Sequence, residues 1–422
     1  QGCDVESINR IKDELLESRI VEQKNVESYW ETRDKYYSMI ESVYNEPNDV
    51  SVRTNMDKFW QGWQELSTYP ESDAARLAVV VRGQTLTNSI QQQYKSLRGI
   101  GDQINGDIEA VVKQVNDLSR QIASVNGEIV RSKGLGDNPN DLMDRRDLLV
   151  EKLSSLINVT VTQKDPDEFM VHTDGQIIVQ GSLARQIETV GQLDNNGYGK
   201  LMWSDTKLDA EFHGGTLGAL VELRDKDIRG EIQSLNTMAL NFADLVNDVH
   251  RNAIGKNNVT GLDFFVQHDF VENVNGNYDR NGDGVEDTSY IFRMTGTNAL
   301  KPQEQIGLSG TMTINSANGN IDVAYFSTDT VEDVINRIND SNGEVKAYLD
   351  RNNCLVLKAT SSSGMENPDF VIRHVEDSGM FLTGYSGILQ GSGADNAYDF
   401  NRANAVDVLA GAQFAVSSVL NP

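Results

Sequence analysis

Apolar residues recur along this chain with two different periods, and the change of period divides it. From Ile90 the apolar positions run Ile90, Tyr94, Leu97, Gly101, Ile104, Ile108, Val111, Val115, Leu118, Ile122, Val125 and Ile129. Their intervals alternate four and three, a heptad seam of the coiled-coil type. The pattern predicts one long helix, roughly 60 Å at about 1.5 Å per residue. Gly99, Gly101 and Gly106 each weaken it by about 1 kcal/mol relative to alanine, so neighbouring helices are expected to hold it. An earlier seam, Val26, Trp30, Arg33, Tyr37, Ile40 and Tyr44, stops at Pro47 and Asn48. Between Met56 and Pro70 a shorter helix carries Phe59, Trp60, Trp63 and Leu66. Bulky aromatics at helical spacing read as core rather than as a ligand platform.

After Ile157 the period becomes two. NVTVTQ and EFMVHTDGQIIVQG read as strands with a hairpin turn at Asp174-Gly175. Helix resumes near Thr216, where Ile228, Ile232, Leu235, Ala239, Phe242, Val246 and Val249 alternate four and three again. From about residue 257 the composition shifts toward Gly, Asn, Asp, Thr and Ser. There GTMTIN, VKAYLD, CLVLKAT and DFVIRHV read as short strands, interrupted by one helix from Val331 to Asn339. The predicted organisation is a helical core domain over 1–157, a small β excursion over 158–214 and a helical continuation over 215–256. A β-rich outer domain follows over 257–400, then a return segment toward the core over 401–422. The fold class is α+β and multidomain.

The run NPNDLMDRRDLLVEKLSS, from residue 138 to 155, places Asp141, Asp144 and Asp147 three residues apart. Asn140 or Asp141, after Pro139, stands where a helix N-cap belongs, and acids in the first turn suit the helix dipole. Asp141 and Arg145 are four apart in the favourable acid-first order. Leu142, Leu149, Leu153 and Leu156 supply a buried stripe. The run contains no His or Cys, so it reads as a capped, charge-paired helix rather than a metal or catalytic cluster. Asp144, Arg146 and Asp147 are the candidates for contacts with another helix or another subunit.

Charge changes the functional picture. There are 63 acidic against 37 basic residues, a formal net charge of −26, which argues against nucleic acid as a partner. No apolar run approaches the ~18 residues of a membrane span. Cys3 and Cys354 are the two cysteines and form no CxxC, so neither zinc nor a redox pair is indicated. The chain begins with glutamine and shows no basic segment followed by an apolar one, so no secretory signal is read. His172, His213, His250, His268 and His374 form no spaced ligand pair. No GxSxG, P-loop or dinucleotide fingerprint is present, so no enzyme activity is indicated.

One loop carries a possible ion site. In YDRNGDGVEDTSY, Asp279, Asn281, Asp283 and Asp287 fall at positions 1, 3, 5 and 9 of a calcium loop, with Gly284 at position 6 and the carbonyl of Val285 at position 7. Tyr290 stands where a bidentate acid is needed. The stretch reads either as a weak calcium loop or as an Asx-rich turn between strands.

Several stretches resemble the bacterial flagellar hook-associated protein 1 (FlgK) family. NDLMDRRDLLVEKLSSLINVTV is similar to its helix-to-strand signature, matching at Asn140, Asp141, Leu142, Asp144, Arg146, Asp147, Leu149, Val150, Leu153 and Ser154. INRIKDELLESRI, FWQGWQELSTYPESDAAR, VNDLSRQIASVNGEI, HGGTLGALVELRDKDI, SLNTMALNFADLVNDVHRNA and GLDFF resemble further blocks in the same order. DTVEDVINRINDSNGEVKAYLDRNNCLVLKAT resembles the IN motif of flagellins and hook-associated proteins, with Ile338 and Asn339 as its naming pair.

The resemblance implies an elongated helical bundle, a flagellin-like core domain, with the β-rich domain projecting from it. It implies a non-catalytic structural subunit of the hook–filament junction of the flagellum. Copies would assemble side by side and contact hook protein and hook-associated protein 3. An export chaperone would attend passage through the flagellar export apparatus to an extracellular or periplasmic site. No cofactor is expected beyond possible weak calcium. The family's terminal helices are not among the quoted stretches, so this chain by itself is expected to be monomeric or weakly associated. A calcium-dependent surface module or adhesin and a cell-wall hydrolase are the rival readings.

Overall fold

The structure is a computed structural model and describes residues 13–44, 51–163, 169–191, 198–266, 275–278, 287–288, 291–316, 319–359, 372, 374–392, 398–400, 405–407 and 415–416. Two compact units share the chain: 1–43 with 98–228, and 44–97 with 229–422. The fold is α+β. Long helices and small antiparallel sheets alternate along it.

Four helices come first: α1 Glu14–Val43, α2 Val52–Thr68, α3 Asp73–Gly134 and α4 Asn140–Leu156. The predicted long helix is therefore real and longer than its seam, at 62 residues. Ile90, Leu97, Ile104, Ile108, Val111, Val115, Ile122, Val125 and Ile129 are buried, while Tyr94 and Leu118 are half-buried.

In the first unit the lower part of α3 packs with α4, α1 and a four-stranded sheet of order β1-β2-β3-β4. These strands are β1 Thr160–Gln163, β2 Phe169–Thr173, β3 Gln176–Gln180 and β4 Leu183–Ala184. The hairpin turn falls at Asp174 and Gly175, both with positive φ, as a two-residue type I′ turn requires. A further pair, β5 Ile187–Gly191 and β6 Gly199–Trp203, precedes helix α5 Gly215–Glu222 and a π-helical turn over Leu223–Ile228. Leu149, Leu153, Phe169, Val171, Ile178, Leu217 and Leu223 complete this core. Gly101 is required by its neighbour: a Cβ there would lie 2.8 Å from the Tyr198 hydroxyl, which donates to Asp102 at 2.8 Å. Gly215, at φ +58, lies so close to the end of α4 that a Cβ would sit 2.6 Å from the Leu156 carbonyl carbon. The last carbonyls of α4 are thereby satisfied from outside: Thr216 donates to Ser155 O and Asn25 to Ser154 O.

The first turn of α4 differs from expectation. Pro139 occupies the cap position and no side-chain cap bond forms. The α1 seam is also displaced. Val26, Trp30, Tyr37 and Tyr44 are exposed, and the buried face is Asn25, Arg33, Tyr36 and Ile40. The inward face of α1 carries Asn25, Arg33 and the Tyr36 hydroxyl among its buried groups, and a hydrophobicity pattern does not register such a face.

In the second unit α2, the upper part of α3 and helix α6 Arg229–Asn252 meet around Phe59, which is 0% exposed. Rings of Trp60, Trp63, Phe242, Phe264 and Phe265 lie 5.4–6.1 Å from it, the edge-to-face range that adds to simple burial. Ile228, Leu235, Ala239, Phe242 and Val246 are buried as the seam predicts, whereas Val249 points outward.

The remaining strands are β7 Phe265–Val266, β8 Asn275–Tyr278, β9 Asp287–Thr288, β10 Ile291–Ala299, β11 Gly310–Ser316 and β12 Gly319–Tyr325. After helix α7 Val331–Asp340 come β13 Val345–Leu349, β14 Cys354–Ala359, β15 Val375–Asp377, β16 Leu389–Ser392, β17 Tyr398–Phe400, β18 Ala405–Asp407 and β19 Ala415–Val416. Two sheets dominate, of order β13-β14-β10-β18 and β12-β11-β15. Helix α7 opens on a complete capping box between Thr330 and Asp333 and buries Val331, Val334 and Ile338. Of the predicted strands, GTMTIN, VKAYLD and CLVLKAT are found; most of DFVIRHV lies outside the described residues. In the final stretch, β18 pairs with β10 and β19 with β7.

One device recurs in both units. Asn116 on α3, Asn247 on α6 and Asn339 on α7 each make two hydrogen bonds to one strand residue. The side-chain amide donates to the carbonyl and its oxygen accepts from the N–H. The partners are Ile187, Phe265 and Ala347, all six distances being 2.8 Å.

Phe59 is the centre of the aromatic core, so Phe59→Ala should lower stability by about 3–5 kcal/mol, read as a shifted urea midpoint. Leu135→Ala, at a position 83% exposed, should stay within about 0.5 kcal/mol.

Candidate functional site

The residues singled out on α4 separate in the structure. Arg146 is 1% exposed. Its Nη1 donates to Asn126 Oδ1 on α3 and its Nη2 to Gln163 Oε1 on β1, both at 2.9 Å. The guanidinium lies 3.9 Å from the centre of the Phe169 ring on β2, a cation–π geometry in a dry setting. Asp147 Oδ1 stands 3.9 Å from Nε. Arg146 therefore joins helix to sheet inside the unit, and a neighbouring copy has no access to it; the expectation of an intersubunit role is corrected for this residue. Asp144 is exposed and Asp147 half-buried.

Of the calcium-loop residues, Asp279, Asn281, Asp283 and Val285 lie outside the described residues. Asp287 begins β9 and pairs with Tyr278 of β8. Among the described residues no group of three or more His, Cys, Asp or Glu side chains is placed to hold a metal.

The polar face of α1 makes a second cluster that the hydrophobicity pattern does not reveal. Arg33 pairs with Glu222 Oε2 at 3.0 Å and Asp227 Oδ2 at 2.9 Å, carboxylates just before and within the π-helical turn. Tyr29 donates to Glu222 at 2.5 Å and Tyr37 to Asp227 at 3.1 Å, and Arg33 also donates to the Tyr37 hydroxyl. Arg224, 3% exposed, ties the turn to Asn105 on α3 at 2.8 Å. Elsewhere in this unit Tyr36 donates to Asp107 at 2.5 Å and Tyr198 to Asp102 at 2.8 Å. A chain with a large acid excess thus holds part of it with tyrosine hydroxyls instead of bases. Burial, and then the adjacent carboxylate, push the Tyr29, Tyr36, Tyr37 and Tyr198 hydroxyls above their ordinary value. The Tyr29 hydrogen bond in turn holds the Glu222 carboxyl below its own.

Beside this cluster runs a cleft of about 720 Å³. Val26 and Trp30 of α1, Leu201 of β6, Phe212 and Val221 line it, with Glu211, Glu222 and Lys226 at its rim. Trp30 is 61% exposed. Such a surface suits the burial of an apolar segment more than bond-making chemistry.

Comparisons with known proteins agree with this architecture. The model for the flagellar hook-associated protein FlgK helical domain matches residues 37–265, and that for the flagellin hook IN motif matches residues 311–361. Flagellar hook-associated protein 1 of Bacillus subtilis (strain 168) is 29% identical over 293 residues, covering 63% of this chain and 58% of the relative. The proteins of the same name from Salmonella typhimurium and Escherichia coli K12 are each 29% identical over 273 residues, 63% of this chain and 49% and 50% of theirs. The chain spans about half the length of the curated relatives it matches. The solved flagellar hook junction protein FlgK from Burkholderia pseudomallei superposes with a TM-score of 0.55 at 20% identity, over 74% of this chain and 56% of that one, a likeness of fold.

The tyrosine–carboxylate pairs predict the pH response. Because the folded hydroxyls hold their protons more tightly, their contribution is complete below the ordinary tyrosine value of about 10 and is lost as pH rises above it. Phenolate absorbance should lag that of free tyrosine and rise together with loss of helical circular dichroism. Phenolate formation at the ordinary value with helices intact would contradict this. Glu222 works in the other direction: its share is present above the ordinary carboxylate value and disappears as pH falls through its lowered one.

Proposed function

The chain belongs to the family of the flagellar hook-associated protein FlgK helical domain, and from that premise we propose that it is a structural, non-catalytic subunit of the hook–filament junction. The observation that carries the reading is the family match across residues 37–265, which takes in the α3 and α6 seams and the tyrosine–carboxylate pairs of Tyr37 and Tyr198. The IN motif match over 311–361 supports it. In this reading copies assemble side by side, with hook protein on one side and hook-associated protein 3 on the other. An export chaperone delivers the subunit to the flagellar export apparatus, and the working location is the flagellum, extracellular or periplasmic. Affinity comes from many apolar and paired-charge contacts between copies rather than from one pocket. Asp144, exposed on α4, and the half-buried Asp147 remain the acidic candidates for such contacts. Among the described residues no helix is long and apolar enough to cross a membrane. The adhesin alternative depends on the Asp279 loop, and no observation favours it.

Gold-labelled antibody raised against this chain, applied to isolated flagella, should decorate the boundary between hook and filament. Label along the filament or over the cell surface would overturn the assignment.

A further inference from the structure

A small cavity in the second unit gathers hydrogen-bond donors. It encloses about 120 Å³, the liquid volume of about four waters. Trp63 of α2, Arg76 and Val79 of α3, His250 of α6 and the turn from Ala253 to Leu262 line it. Lys256, in that turn, is a second permanent base on its wall, and among the described residues none that line it is acidic. The chain as a whole has 63 acidic and 37 basic residues, so this wall reverses the general balance.

Hydrogen bonds sharpen the asymmetry. Acceptors around the cavity are engaged within the protein. Leu262 O accepts from His250 Nδ1 at 2.7 Å, Val259 O from Gly255 N at 2.9 Å, and Asn257 Oδ1 from Val259 N at 3.1 Å. Two donors are not engaged: Trp63 Nε1 and Arg76 Nε are buried and make no hydrogen bond. Neither side chain can turn acceptor, since indole and guanidinium groups only donate. Buried donors nearly always have a partner, and these two belong to one cavity wall.

Charge separates an anion from water as that partner. Lys256 is bound to Asp73 Oδ1 at 2.9 Å, so those two charges offset each other. Arg76 Nη2 donates to the carbonyl of Pro70 at 2.8 Å, which anchors the guanidinium, and among the described residues Arg76 forms no ion pair. Water would satisfy the two donors and leave the charge, whereas an oxyanion answers both and makes the stronger hydrogen bonds. The indole is also held in place. Its ring lies 6.1 Å from that of Phe59 and 5.6 Å from that of Phe264, centre to centre.

We propose that this cavity binds a compact oxyanion, a phosphate or carboxylate group, which accepts from Trp63 Nε1 and Arg76 Nε and neutralises Arg76. The site is independent of the junction assignment. Its walls come from α2, α3 and the turn after α6, so an anion there fastens three segments beside the aromatic core and stabilises the folded chain in proportion to its occupancy.

The test titrates the whole chain with inorganic phosphate and, in a parallel arm, with acetate, each against sodium chloride at matched ionic strength. The chain has four tryptophans, and the indole N–H resonance that Trp63→Phe removes belongs to Trp63. That resonance should move to saturation while the other three stay. Saturation with phosphate alone assigns a tetrahedral anion, and saturation with acetate assigns a carboxylate. Calorimetry should show Arg76→Gln and Trp63→Phe each binding about tenfold more weakly or worse. Arg131→Gln, an exposed arginine near the other end of α3 with the same loss of charge, should stay within about twofold. Circular dichroism without added anion checks folding, and if Arg76→Gln does not fold, Trp63→Phe, which keeps an aromatic ring, decides the question. A Trp63 resonance that moves with neither anion, or equally with chloride, would overturn the proposal. So would unchanged affinity in the folded variants.

Discussion

Three asparagines hold the edges of three sheets. Among the described residues β5, β7 and β13 each have one strand neighbour only, and on the other side each would present bare backbone groups. Asn116, Asn247 and Asn339 close that side, each with one donated and one accepted bond to a single residue. A primary amide has the same donor and acceptor arrangement as a peptide group, so a helix can imitate the next strand at one position. Uncovered edges invite pairing with other chains, and buried backbone groups without partners are costly. The helices and sheets of both units are fastened by this means, and the packing of Val115, Val246 and Ile338, the buried residues just before each asparagine, brings the amide to its strand.

The rest of the structure follows the same economy. Apolar seams supply the bulk of each core, and a few polar groups inside them set which surfaces meet. Arg146 reaches α3, β1 and β2 from α4, so the helix cannot rotate without breaking two hydrogen bonds and its contact with Phe169. Removing one partner of such a buried charged group leaves the other uncompensated. The α1 cluster works alike at the π-helical turn, whose i→i+5 winding brings Glu222 and Asp227, five residues apart, toward one face. Arg33 and the two tyrosines hold both carboxylates at once. An acid-rich chain is thereby fixed in one arrangement without needing an equal number of bases.

Much of this is legible in the sequence, because the seams of α3 and α6 are apolar and their period is 3.5. The hairpin at Asp174-Gly175 and the helix from Val331 are legible for the same reason: turn chemistry and periodicity both point one way. The α1 face is legible only in part. Arg33 and Ile40 of the seam are buried, but Asn25 and Tyr36 share that inward face and are missed, while Val26, Trp30 and Tyr37 are exposed. Arg146 reads as a surface charge, since a guanidinium is seldom buried unless its partners come from elements distant in sequence. The asparagines leave a trace. Val-Asn-Asp at 115–117, Val-Asn-Asp at 246–248 and Ile-Asn-Asp at 338–340 share a β-branched-Asn-Asp pattern inside helices. A repeat that short marks the anchoring positions only when it is weighed with the helix it sits in and the strand it reaches. The cavity beside Trp63 and Arg76 draws its walls from separate stretches of the chain, which no linear pattern supplies.

The edge-closing role of the asparagines is tested most directly by changing each to alanine, which removes both the donor to the strand carbonyl and the acceptor from the strand N–H. Native-state hydrogen exchange then reports on the Ile187, Phe265 and Ala347 amides. Asn116→Ala, Asn247→Ala and Asn339→Ala should each cost roughly 1–3 kcal/mol. Each should speed exchange at its own partner amide while leaving the other two protected. Unchanged stability together with unchanged protection at all three amides would contradict the account.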